Sequence, residues 1–413
     1  MAERVIVVGC QLPNVPEHIY EESVSELEAL VETAHGEVIG RLDQKRQAVD
    51  RRTYIGKGKV EELVALAEEL TPDLIIFNAE MTPGQLKNIR IALGDPEDIK
   101  LIDRTQLILD IFAGRAQSRE GKLQVELAQM SYLLPRLSGQ GTQLSRLGGG
   151  IGTRGPGESK LETDRRHIRR RVDEIKKQLE TSVAHRARYR ERRKENQAFQ
   201  IALVGYTNAG KSTIFNRLTN ADTYEKNELF ATLDPLTRQL DLPSGGQVLL
   251  TDTVGFIQDL PTQLIAAFRS TLEEVLEADL ILHVVDASSD HYREQMATTN
   301  KVLDDLGAGD IPQLEVFNKK DRLTEHFTGG KLLISALDPA DIERLTAEIE
   351  KEISTILEYL EIRIPVEAFV HYNPAKEAMI NLKENYEEDG SVTLRGYLRN
   401  DTRLFATLKQ YEV

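Results

Sequence analysis

The stretch Ile201–Thr213, IALVGYTNAGKST, decides the fold of the central part of this chain. Its first four residues are apolar and predict a short buried strand, which Gly205 ends. The spacing from Gly205 to Ser212 is G-x-x-x-x-G-K-S, and apolar residues at helical spacing follow it. Strand, glycine-bounded loop and helix in this order are the context that a phosphate-binding P-loop requires. The alternative is a chance glycine turn before a helix, and the correct flanks on both sides favour the P-loop.

Each residue type in this loop suits one part of phosphate binding. Glycines let the backbone turn so that successive N–H groups point inward at phosphate oxygens, and the start of the helix adds its positive dipole end. Lys211 would neutralise the β- and γ-phosphates, and the Ser212 hydroxyl would ligate Mg²⁺. The residues predicted to contact phosphate are Gly205, Tyr206, Thr207, Asn208, Ala209, Gly210, Lys211, Ser212 and Thr213.

Composition is that of a soluble globular protein with several domains. The chain has 413 residues, 40% hydrophobic and 29% charged, which predicts roughly two to four domains. A single cysteine, Cys10, excludes an intramolecular disulfide and a cysteine zinc site.

The net charge of −15 argues mildly against nucleic-acid binding by the whole surface, but not by a local patch. No stretch is apolar for long enough to span a bilayer and the amino terminus lacks a signal-peptide pattern, so we expect a cytoplasmic protein.

Residues 1–104 predict a small parallel α/β domain. Between the apolar runs, residues at helical spacing cover Ser23–Ala34 and Lys59–Leu70. Alternating strands and helices indicate a parallel sheet. The runs typical of buried strands are Val5–Val8, Leu74–Phe77 and, as a weaker candidate, Val38–Leu42.

Residues 105–195 predict a helical hairpin. Apolar residues form a seam of coiled-coil type in 123–137, and a second seam follows in 161–183. Pro135 should kink or end the first helix near its last turn. The link between the helices, 148–157, holds six glycines in ten residues and cannot pack by itself.

A strong positive charge marks the second of these helices. Residues 165–195 hold thirteen Lys and Arg against five Asp and Glu, a local charge of +8 in a chain of −15. One interpretation is a solvated helix face, as most charge runs are. The other is an RNA-facing surface, which a basic arm beside a glycine-rich tip on an acidic protein also suggests. Since Tyr189 is the arm's single aromatic residue, phosphate contact is favoured over base stacking.

Residues 199–360 predict a second α/β domain with a nucleotide site. After the P-loop come, in order, Phe230-Ala-Thr-Leu-Asp234, Asp252-Thr-Val-Gly255, Asn318-Lys-Lys-Asp321 and the pair Ser335 and Ala336. Each motif alone is weak, but their order after a P-loop leaves little room for chance. The sequence therefore predicts a GTP-binding domain. Its strand candidates are 201–204, 248–252, 280–285, 313–318 and 332–335.

The roles of these motifs follow from their residue types. Thr232 is placed as a switch threonine for Mg²⁺ and the γ-phosphate, Asp252 can bind Mg²⁺ through water, and the Gly255 N–H can reach the γ-phosphate. Asp321 can accept two hydrogen bonds from guanine N1–H and the 2-amino group, which adenine cannot offer. The stem of Lys319 can lie along the base.

The predicted site residues fall into three sets. Those expected to act in hydrolysis are Lys211, Thr232 and Gly255. Those expected to hold Mg²⁺ are Ser212, Thr232 and Asp252. Those expected to bind GTP or GDP, besides the P-loop residues above, are Phe230, Ala231, Thr232, Leu233, Asp234, Asp252, Thr253, Val254, Gly255, Asn318, Lys319, Lys320, Asp321, Ser335 and Ala336.

One residue departs from the common GTPase pattern. In Ras-like GTPases a glutamine usually follows D-x-x-G and orients the attacking water, but here the residue is Phe256, whose side chain cannot hydrogen-bond. We therefore expect slow hydrolysis by the free protein. Catalysis must use a group from elsewhere: the mobile switch, a partner or the neighbouring domain.

The motifs GYTNAGKST, FATLD, DTVGFI and NKKD, preceded by GGGIGTRGPGE and the LE-x-DRR stretch at 161–166, resemble the HflX family of translational GTPases over nearly the whole chain. The glycine-rich loop and the basic helix distinguish it from the Era, Obg and EngA relatives, which share only the GTPase motifs. The resemblance implies a Ras-like domain with GTP or GDP and Mg²⁺ as ligands, in a cytoplasmic factor that binds the large ribosomal subunit and its RNA. It also implies dissociation of 70S ribosomes, often under stress, and GTP hydrolysis stimulated by the ribosome.

A second function class stays open on the residues alone. It is a stand-alone nucleotide hydrolase or regulatory switch whose basic arm contacts a protein or a membrane. Binding to ribosomes in the presence of a non-hydrolysable GTP analogue separates the two classes. We expect a monomer in the free state.

Residues 361–413 predict a small α+β appendage. Alternating residues favour strands at 362–370 and 392–398, and helical patterns cover 376–382 and 402–410. The appendage could contribute to ribosome binding, but the favoured interpretation is that it caps the GTPase domain.

Overall fold

The computed structural model of this chain describes residues 2–96, 98–136, 165–181, 198–219, 229–230, 232–258, 274–323 and 327–413. The predicted glycine-rich loop 148–157, both ends of the predicted basic helix and Ala231 lie outside these residues. The chain divides into two compact units. The first is Met1–Ser182 with Glu228–Leu233 and Gln258–Arg269, and the second is Val183–Asn227 with Asp234–Ile257 and Ser270–Val413.

The first unit contains the predicted parallel α/β fold. Its four strands pair in the order β2-β1-β3-β4, and every pair is parallel. The weak strand candidate at Val38–Leu42 is confirmed, since it lies inside β2. The elements are β1 (Glu3–Gln11), α1 (Glu17–Thr33), β2 (Gly36–Lys45), α2 (Lys57–Leu70), β3 (Leu74–Phe77), α3 (Pro83–Ala92), β4 (Lys100–Asp103) and α4 (Arg104–Arg115).

The central strands of this sheet are buried on both faces. Val5–Val8 and Leu74–Phe77 are almost fully buried, as expected for parallel strands covered by helices on each side. On one face, Leu63 of α2 and Ile89 of α3 join the cluster around Ile6 and Val8. The apolar runs in the sequence therefore predict this core correctly.

Two further helices complete the described part of the first unit. These are α5 (Arg119–Arg136), which includes Pro135, and the helical residues 165–181, here called α6. Arg171 of α6 donates two hydrogen bonds to the Glu126 carboxylate of α5, at 2.6 and 2.8 Å. This ion pair with two hydrogen bonds joins α5 and α6. Ile175 of α6 is fully buried.

The segment Glu228–Leu233 also belongs to the first unit. The Leu229 N–H donates to Thr33 Oγ1 at 3.2 Å, at the end of α1. The ring of Phe230 meets Phe112 of α4 edge to face, with centroids 4.5 Å apart. Phe230 is 1% exposed, so this segment contributes to the core of the unit.

The second unit is built on a five-stranded sheet of order β6-β7-β5-β8-β9. Strands β7, β5, β8 and β9 run parallel, and β6 pairs antiparallel to β7. The core between sheet and helices includes Leu203, Ile214 and Phe215. The elements are β5 (Gln200–Gly205), α7 (Lys211–Thr219), β6 (Leu236–Asp241), β7 (Gln247–Asp252), β8 (Leu280–Asp286), α8 (Tyr292–Leu306), β9 (Gln313–Asn318) and α9 (Pro339–Ile356).

The prediction of a strand at 332–335 is wrong, because these residues form a single bridge and not a strand. Leu333 makes this parallel bridge to Phe317 of β9. The Phe317 N–H donates to the Leu332 oxygen and the Ile334 N–H donates to the Phe317 oxygen, at 2.9 and 2.8 Å. The chain then turns into α9 at Pro339, which leaves too few residues for a ladder.

A three-stranded antiparallel sheet, β10-β12-β11, follows in the same unit. The helical pattern predicted at 376–382 is wrong in its second half, because β11 begins at Ile380. The strand predicted at 362–370 ends early, at Ile364, and a 3₁₀-helix follows. The elements are β10 (Glu358–Ile364), a 3₁₀-helix (Val366–His371), α10 (Tyr372–Ala378), β11 (Ile380–Tyr386), β12 (Val392–Leu398) and α11 (Arg403–Leu408).

This small sheet is tied to the larger one by polar contacts. Arg399 Nη1 lies 2.9 Å from Asp279 Oδ2, just before β8. Asp279 Oδ2 also accepts from the Gln200 N–H at 2.8 Å, and burial raises the pKa of this carboxyl. The Asn381 N–H donates to Ser244 Oγ at 3.1 Å. These contacts favour the interpretation that the carboxyl-terminal elements cap the larger sheet.

Candidate functional site

Two glycines shape the loop between β5 and α7. Gly205 has φ +148° and Gly210 has φ +96°, conformations that residues with a side chain rarely adopt. A Cβ at Gly205 would overlap the Val284 carbonyl oxygen, and one at Gly210 would overlap the Asn318 amide nitrogen. Both positions therefore need glycine, because β8 and β9 pack directly against the loop.

Lys211 is held at the centre of this loop. Its ammonium donates to the carbonyl oxygens of Gly205 and Tyr206, at 3.1 and 2.8 Å, and the side chain is 6% exposed. Burial lowers the pKa of Lys211 to about 8, although the nearby Asp252 carboxylate acts in the opposite direction. A buried ammonium at the start of a helix, beside backbone N–H groups, is the environment that binds a polyphosphate.

Two of the predicted magnesium ligands lie side by side. Ser212 Oγ donates to Asp252 Oδ2 at 2.8 Å, and Asp252, at the end of β7, is 2% exposed. A hydroxyl and a carboxylate are the hard oxygen ligands that Mg²⁺ prefers, and this separation lets both reach one ion. The two residues therefore fit Mg²⁺.

The base-recognition motif is connected to the P-loop through Asn318. Its Nδ2 donates to the Ala209 oxygen at 3.0 Å, and its Oδ1 accepts from the Ala336 N–H at 2.9 Å. Asp321 accepts from Ser335 Oγ at 2.6 Å and stays exposed. The structure thus brings the P-loop, the N-K-K-D motif and the Ser335–Ala336 loop together.

Two carboxylates that sequence reasoning missed position this motif. Asp286, at the end of β8, lies 2.7 Å from the Lys319 ammonium, which fixes the lysine stem. Asp341 of α9 accepts from the Ser335 N–H at 2.8 Å and lies 3.3 Å from Lys320 Nζ. The sequence signal for Asp286 is its place directly after an apolar strand, where parallel sheets gather site residues.

The predicted switch segment divides between the two units. Phe230, Thr232 and Leu233 belong to the first unit, and Asp234 belongs to the second. Ala231 lies outside the described residues. The assignment of Thr232 to Mg²⁺ and the γ-phosphate stays a prediction.

The D-x-x-G segment lies beside the P-loop within the second unit. Thr253 donates to the Leu203 oxygen at 2.6 Å, and Val254 is buried. Gly255 lies next to both Thr207 and Lys211. These residues are therefore close to the lysine that is expected to contact phosphate.

A buried histidine that the sequence reasoning did not select lies under the site. His283 of β8 pairs with Val204 of β5 and is 1% exposed. Burial, with Lys211 as a smaller cause, lowers the pKa of His283 to about 4. His283 is therefore neutral at neutral pH and adds no positive charge next to Lys211.

Comparisons with known proteins show the family of this chain. Three family models match the chain: a GTP-binding GTPase N-terminal region at residues 21–113, a GTP-binding GTPase middle region at 115–193 and a 50S ribosome-binding GTPase at 200–319. The GTPase HflX of Alkalihalophilus pseudofirmus is 54% identical over 99% of this chain and 96% of its own length. The chain belongs to the GTPase HflX family. The HflX of Escherichia coli is 39% identical over 91% of this chain and 89% of its own length.

As an HflX family member, the chain binds GTP and hydrolyses it, and its fold is the mixed α/β fold of a P-loop GTPase. A solved complex of SsGBP with GDP is 24% identical, with a TM-score of 0.48, over 84% of this chain and 98% of that one. In the described part of this HflX chain, no helix is long and apolar enough to cross a membrane.

The pKa of Lys211 should make nucleotide binding by this GTPase depend on pH. In the free protein the Lys211 pKa is about 8, and a bound phosphate raises it because opposite charges favour the ammonium. GDP binding should therefore take up protons, increasingly as the pH rises through about 8, and the affinity for GDP should fall as the pH rises further. Calorimetry in two buffers of different ionisation enthalpy measures the uptake. A proton uptake that does not rise with pH would contradict the protonation role of Lys211.

Proposed function

We propose that this GTPase binds the large ribosomal subunit and its RNA in the GTP-bound form and dissociates 70S ribosomes in the cytoplasm, for example under stress. The observation that carries this proposal is the exposed basic face of α6. Residues 165–181 hold seven Lys and Arg against three Asp and Glu, in a chain of net charge −15. The family model that matches 200–319 is described as a 50S ribosome-binding GTPase, which supports the same partner.

The packing of α6 leaves its positive charges available. Ile175 is buried and Arg171 pairs with Glu126, so one side of the helix faces α5. The exposed basic residues are Arg166, Arg169, Arg170, Lys176 and Lys177. Guanidinium and ammonium groups on one helix suit contacts with the phosphate backbone of RNA.

Hydrolysis is proposed to use the residues gathered around the P-loop. Ser212 and Asp252, with Thr232 as the third predicted ligand, would hold Mg²⁺, which would neutralise developing phosphate charge. Lys211 would stabilise the same charge through the β- and γ-phosphates, and the Gly255 N–H would contact the γ-phosphate. Asn318, Lys319 and Asp321 would bind guanine. Since Phe256 cannot orient water, the subunit would complete the catalytic arrangement.

We propose domain boundaries that suit these roles. Residues 1–104 would form the amino-terminal α/β domain, 105–195 the helical arm with its loop 148–157, 199–360 the GTPase domain and 361–413 the carboxyl-terminal appendage. The arm would contact ribosomal RNA while the GTPase domain controls attachment. We propose a monomer in the free state.

Co-sedimentation with purified ribosomal subunits tests the proposed partner. With a non-hydrolysable GTP analogue and Mg²⁺ present, the protein should pellet with large subunits, and with GDP it should stay mostly in the supernatant. Small subunits serve as the matched control. If the protein instead pellets with anionic vesicles and not with large subunits, the arm contacts a membrane and the proposed partner is wrong.

Charge reversal on α6 should weaken binding to the large ribosomal subunit and make that binding less dependent on salt. The change combines Arg166→Glu, Arg169→Glu, Arg170→Glu and Lys177→Glu, all at exposed positions. Each neutralised phosphate contributes about 0.7 to 0.9 to the slope of log affinity against log salt, so the slope should fall by roughly 3. Co-sedimentation across a salt series gives this slope.

The matched control reverses four exposed basic residues of the second unit, Lys301, Lys331, Lys351 and Arg403. Both variants have the same net charge. A difference between their salt slopes therefore shows that the position of the reversed charges matters, and not only their number. GDP affinity should be unchanged in both. A charge-reversed arm that keeps the wild-type slope would show that α6 is a solvated face.

A further inference from the structure

Four large apolar side chains are exposed on one part of the carboxyl-terminal appendage. Val366, Phe369 and Val370 of the 3₁₀-helix are 55%, 39% and 75% exposed. Tyr386, at the end of β11, is 67% exposed. These four residues are here called the apolar patch.

Direct contacts join the members of the apolar patch into one surface. The rings of Phe369 and Tyr372 stack with their centroids 5.2 Å apart, and the Tyr372 and Tyr386 hydroxyl oxygens are 2.9 Å apart. A Cβ at Gly390 would lie 3.2 Å from Val366 Cγ2, so the turn between β11 and β12 borders the 3₁₀-helix. Three residues complete one turn of a 3₁₀-helix, which brings Val366 and Phe369 to the same side of it.

The appendage has a hydrophobic core of its own, and the apolar patch is not part of it. Ile362, Ile364 and Leu394 are fully buried in that core. Large apolar side chains that stay in water forgo the free energy that burial would provide. Contiguous exposed apolar surface is typical of sites where another protein binds, and aromatic residues are enriched at such sites.

Carboxylates surround the apolar patch. From the start of the 3₁₀-helix to the residue before β12, the sequence holds six Asp and Glu against two Lys. Glu367 lies on the 3₁₀-helix, and Glu387, Glu388 and Asp389 directly follow Tyr386. Negative charge repels the phosphates of RNA and attracts Lys and Arg side chains. The charge therefore favours a basic protein over RNA as the partner of this surface.

We propose that the apolar patch binds a basic protein of the large ribosomal subunit, through a segment in which apolar side chains lie beside Lys or Arg. The apolar side chains would cover Val370 and Tyr386, and the Lys or Arg side chains would pair with Glu367 and Glu388. This role rests on the proposed function, which supplies the large subunit as the partner. It differs from the phosphate contacts proposed for α6.

Charge reversal around the patch distinguishes a basic protein from RNA by the sign of the effect. Glu367→Lys with Glu388→Lys, both at exposed positions, should weaken binding to large subunits by roughly tenfold, because each reversal replaces an attraction by a repulsion. The matched control is Asp305→Lys with Asp310→Lys, which makes the same change of charge at exposed positions of the second unit and should not weaken binding. Tighter binding by the Glu367→Lys, Glu388→Lys protein than by the control would show that the patch faces RNA and would overturn the inference.

Removal of apolar surface tests the other half of the contact. Val366→Ser with Val370→Ser should lower the affinity for large subunits by roughly tenfold, and the salt slope should stay at the wild-type value because no charge changes. Both side chains are exposed, so the fold should be little affected. Val49→Ser with Ile91→Ser, at exposed positions of the first unit, is the matched control and should bind like the wild type. Wild-type affinity in the Val366→Ser, Val370→Ser protein would contradict a docking role of the patch.

Photo-crosslinking identifies the partner directly. Cys10→Ser removes the single cysteine of the chain, and Val370→Cys then carries a benzophenone label on the patch. In the complex with large subunits and a GTP analogue, illumination should join this label to a basic ribosomal protein, which mass spectrometry identifies after RNase treatment. The same label at Lys177→Cys, on α6, is the control and should react with RNA.

The possible failures of this experiment are distinguishable. Crosslinks from Val370→Cys to RNA alone, crosslinks to a second copy of this chain, or no crosslink in a complex that sediments would each overturn the inference and leave the proposed function intact. A protein that does not sediment with large subunits would instead contradict the proposed function, and the partner inferred for the patch with it.

Discussion

Lys211→Ala is expected to abolish tight binding of GTP and GDP. The lysine is 6% exposed and its ammonium lies among the P-loop carbonyl oxygens, so its contact with a polyphosphate is charge-assisted and shielded from water. Hydrogen bonds to charged groups contribute about 1.5 to 3 kcal/mol each to the free energy of binding, and Lys211 is expected to contact two phosphates. The loss should be at least roughly a hundredfold in affinity, since about 1.4 kcal/mol corresponds to a factor of ten.

Equilibrium titration with fluorescent GDP measures this loss. Lys331→Ala, at an exposed lysine of the same unit, is the matched control and should bind normally. Removing a buried ammonium also changes stability, so thermal unfolding of both variants must show that they are folded at the assay temperature. If a folded Lys211→Ala protein binds GDP with wild-type affinity, the assignment of residues 205–213 as a phosphate-binding P-loop is wrong.

Asp321→Asn is expected to exchange guanine selectivity for xanthine selectivity. The carboxylate is predicted to accept from guanine N1–H and the 2-amino group, whereas an amide can donate to the xanthine O2. The new side chain keeps an oxygen that can accept from Ser335 Oγ, so the loop of Ser335 and Ala336 should keep its arrangement. The ratio of affinities for GTP and xanthosine triphosphate should change by at least about a hundredfold, because two charge-assisted hydrogen bonds are involved.

Competition against fluorescent GDP gives the two affinities. The matched control is Asp305→Asn, at an exposed position of α8. The control should keep the wild-type preference for GTP. If Asp321→Asn keeps full GTP affinity and rejects xanthosine triphosphate, then Asp321 does not read the base.

Local sequence rules predict the conformation of the loop between β5 and α7 well. Gly205 and Gly210 were selected from spacing alone, and the structure shows why no side chain fits at either position. The apolar run before Gly205 predicts β5, and the helical spacing after Lys211 predicts α7. These features depend on residues close together in the chain, which is the information that a single sequence carries.

Features that depend on long-range pairing were not predictable. Strand β6 (LTRQLD) is mostly polar and short, and it is stabilised by its antiparallel partner β7 rather than by its own pattern. The first three residues of β11 fall inside the helix predicted at 376–382, because Ile380 and Leu382 extend the apolar pattern of the preceding helix. In both cases tertiary pairing decides the conformation.

The same limit applies to the positioning groups of the site. Asp286 acts through an ion pair with Lys319, and Asp341 through a hydrogen bond with the Ser335 N–H. Each partner comes from a different element, so no spacing in the sequence reveals the pair. For Phe256 the sequence shows only a missing glutamine, and its backbone bridge to Gly205 and Thr207 becomes visible in the structure.

The rate of GTP hydrolysis in a single turnover, with and without purified large ribosomal subunits, is the most direct test of the proposed function. Hydrolysis by the free protein should be slow and should increase at least about tenfold with large subunits, because a partner must supply what the Phe256 side chain cannot. Small subunits should give no increase. Equal rates with and without large subunits, at concentrations where the protein binds them, would contradict stimulation of the GTPase by the ribosome.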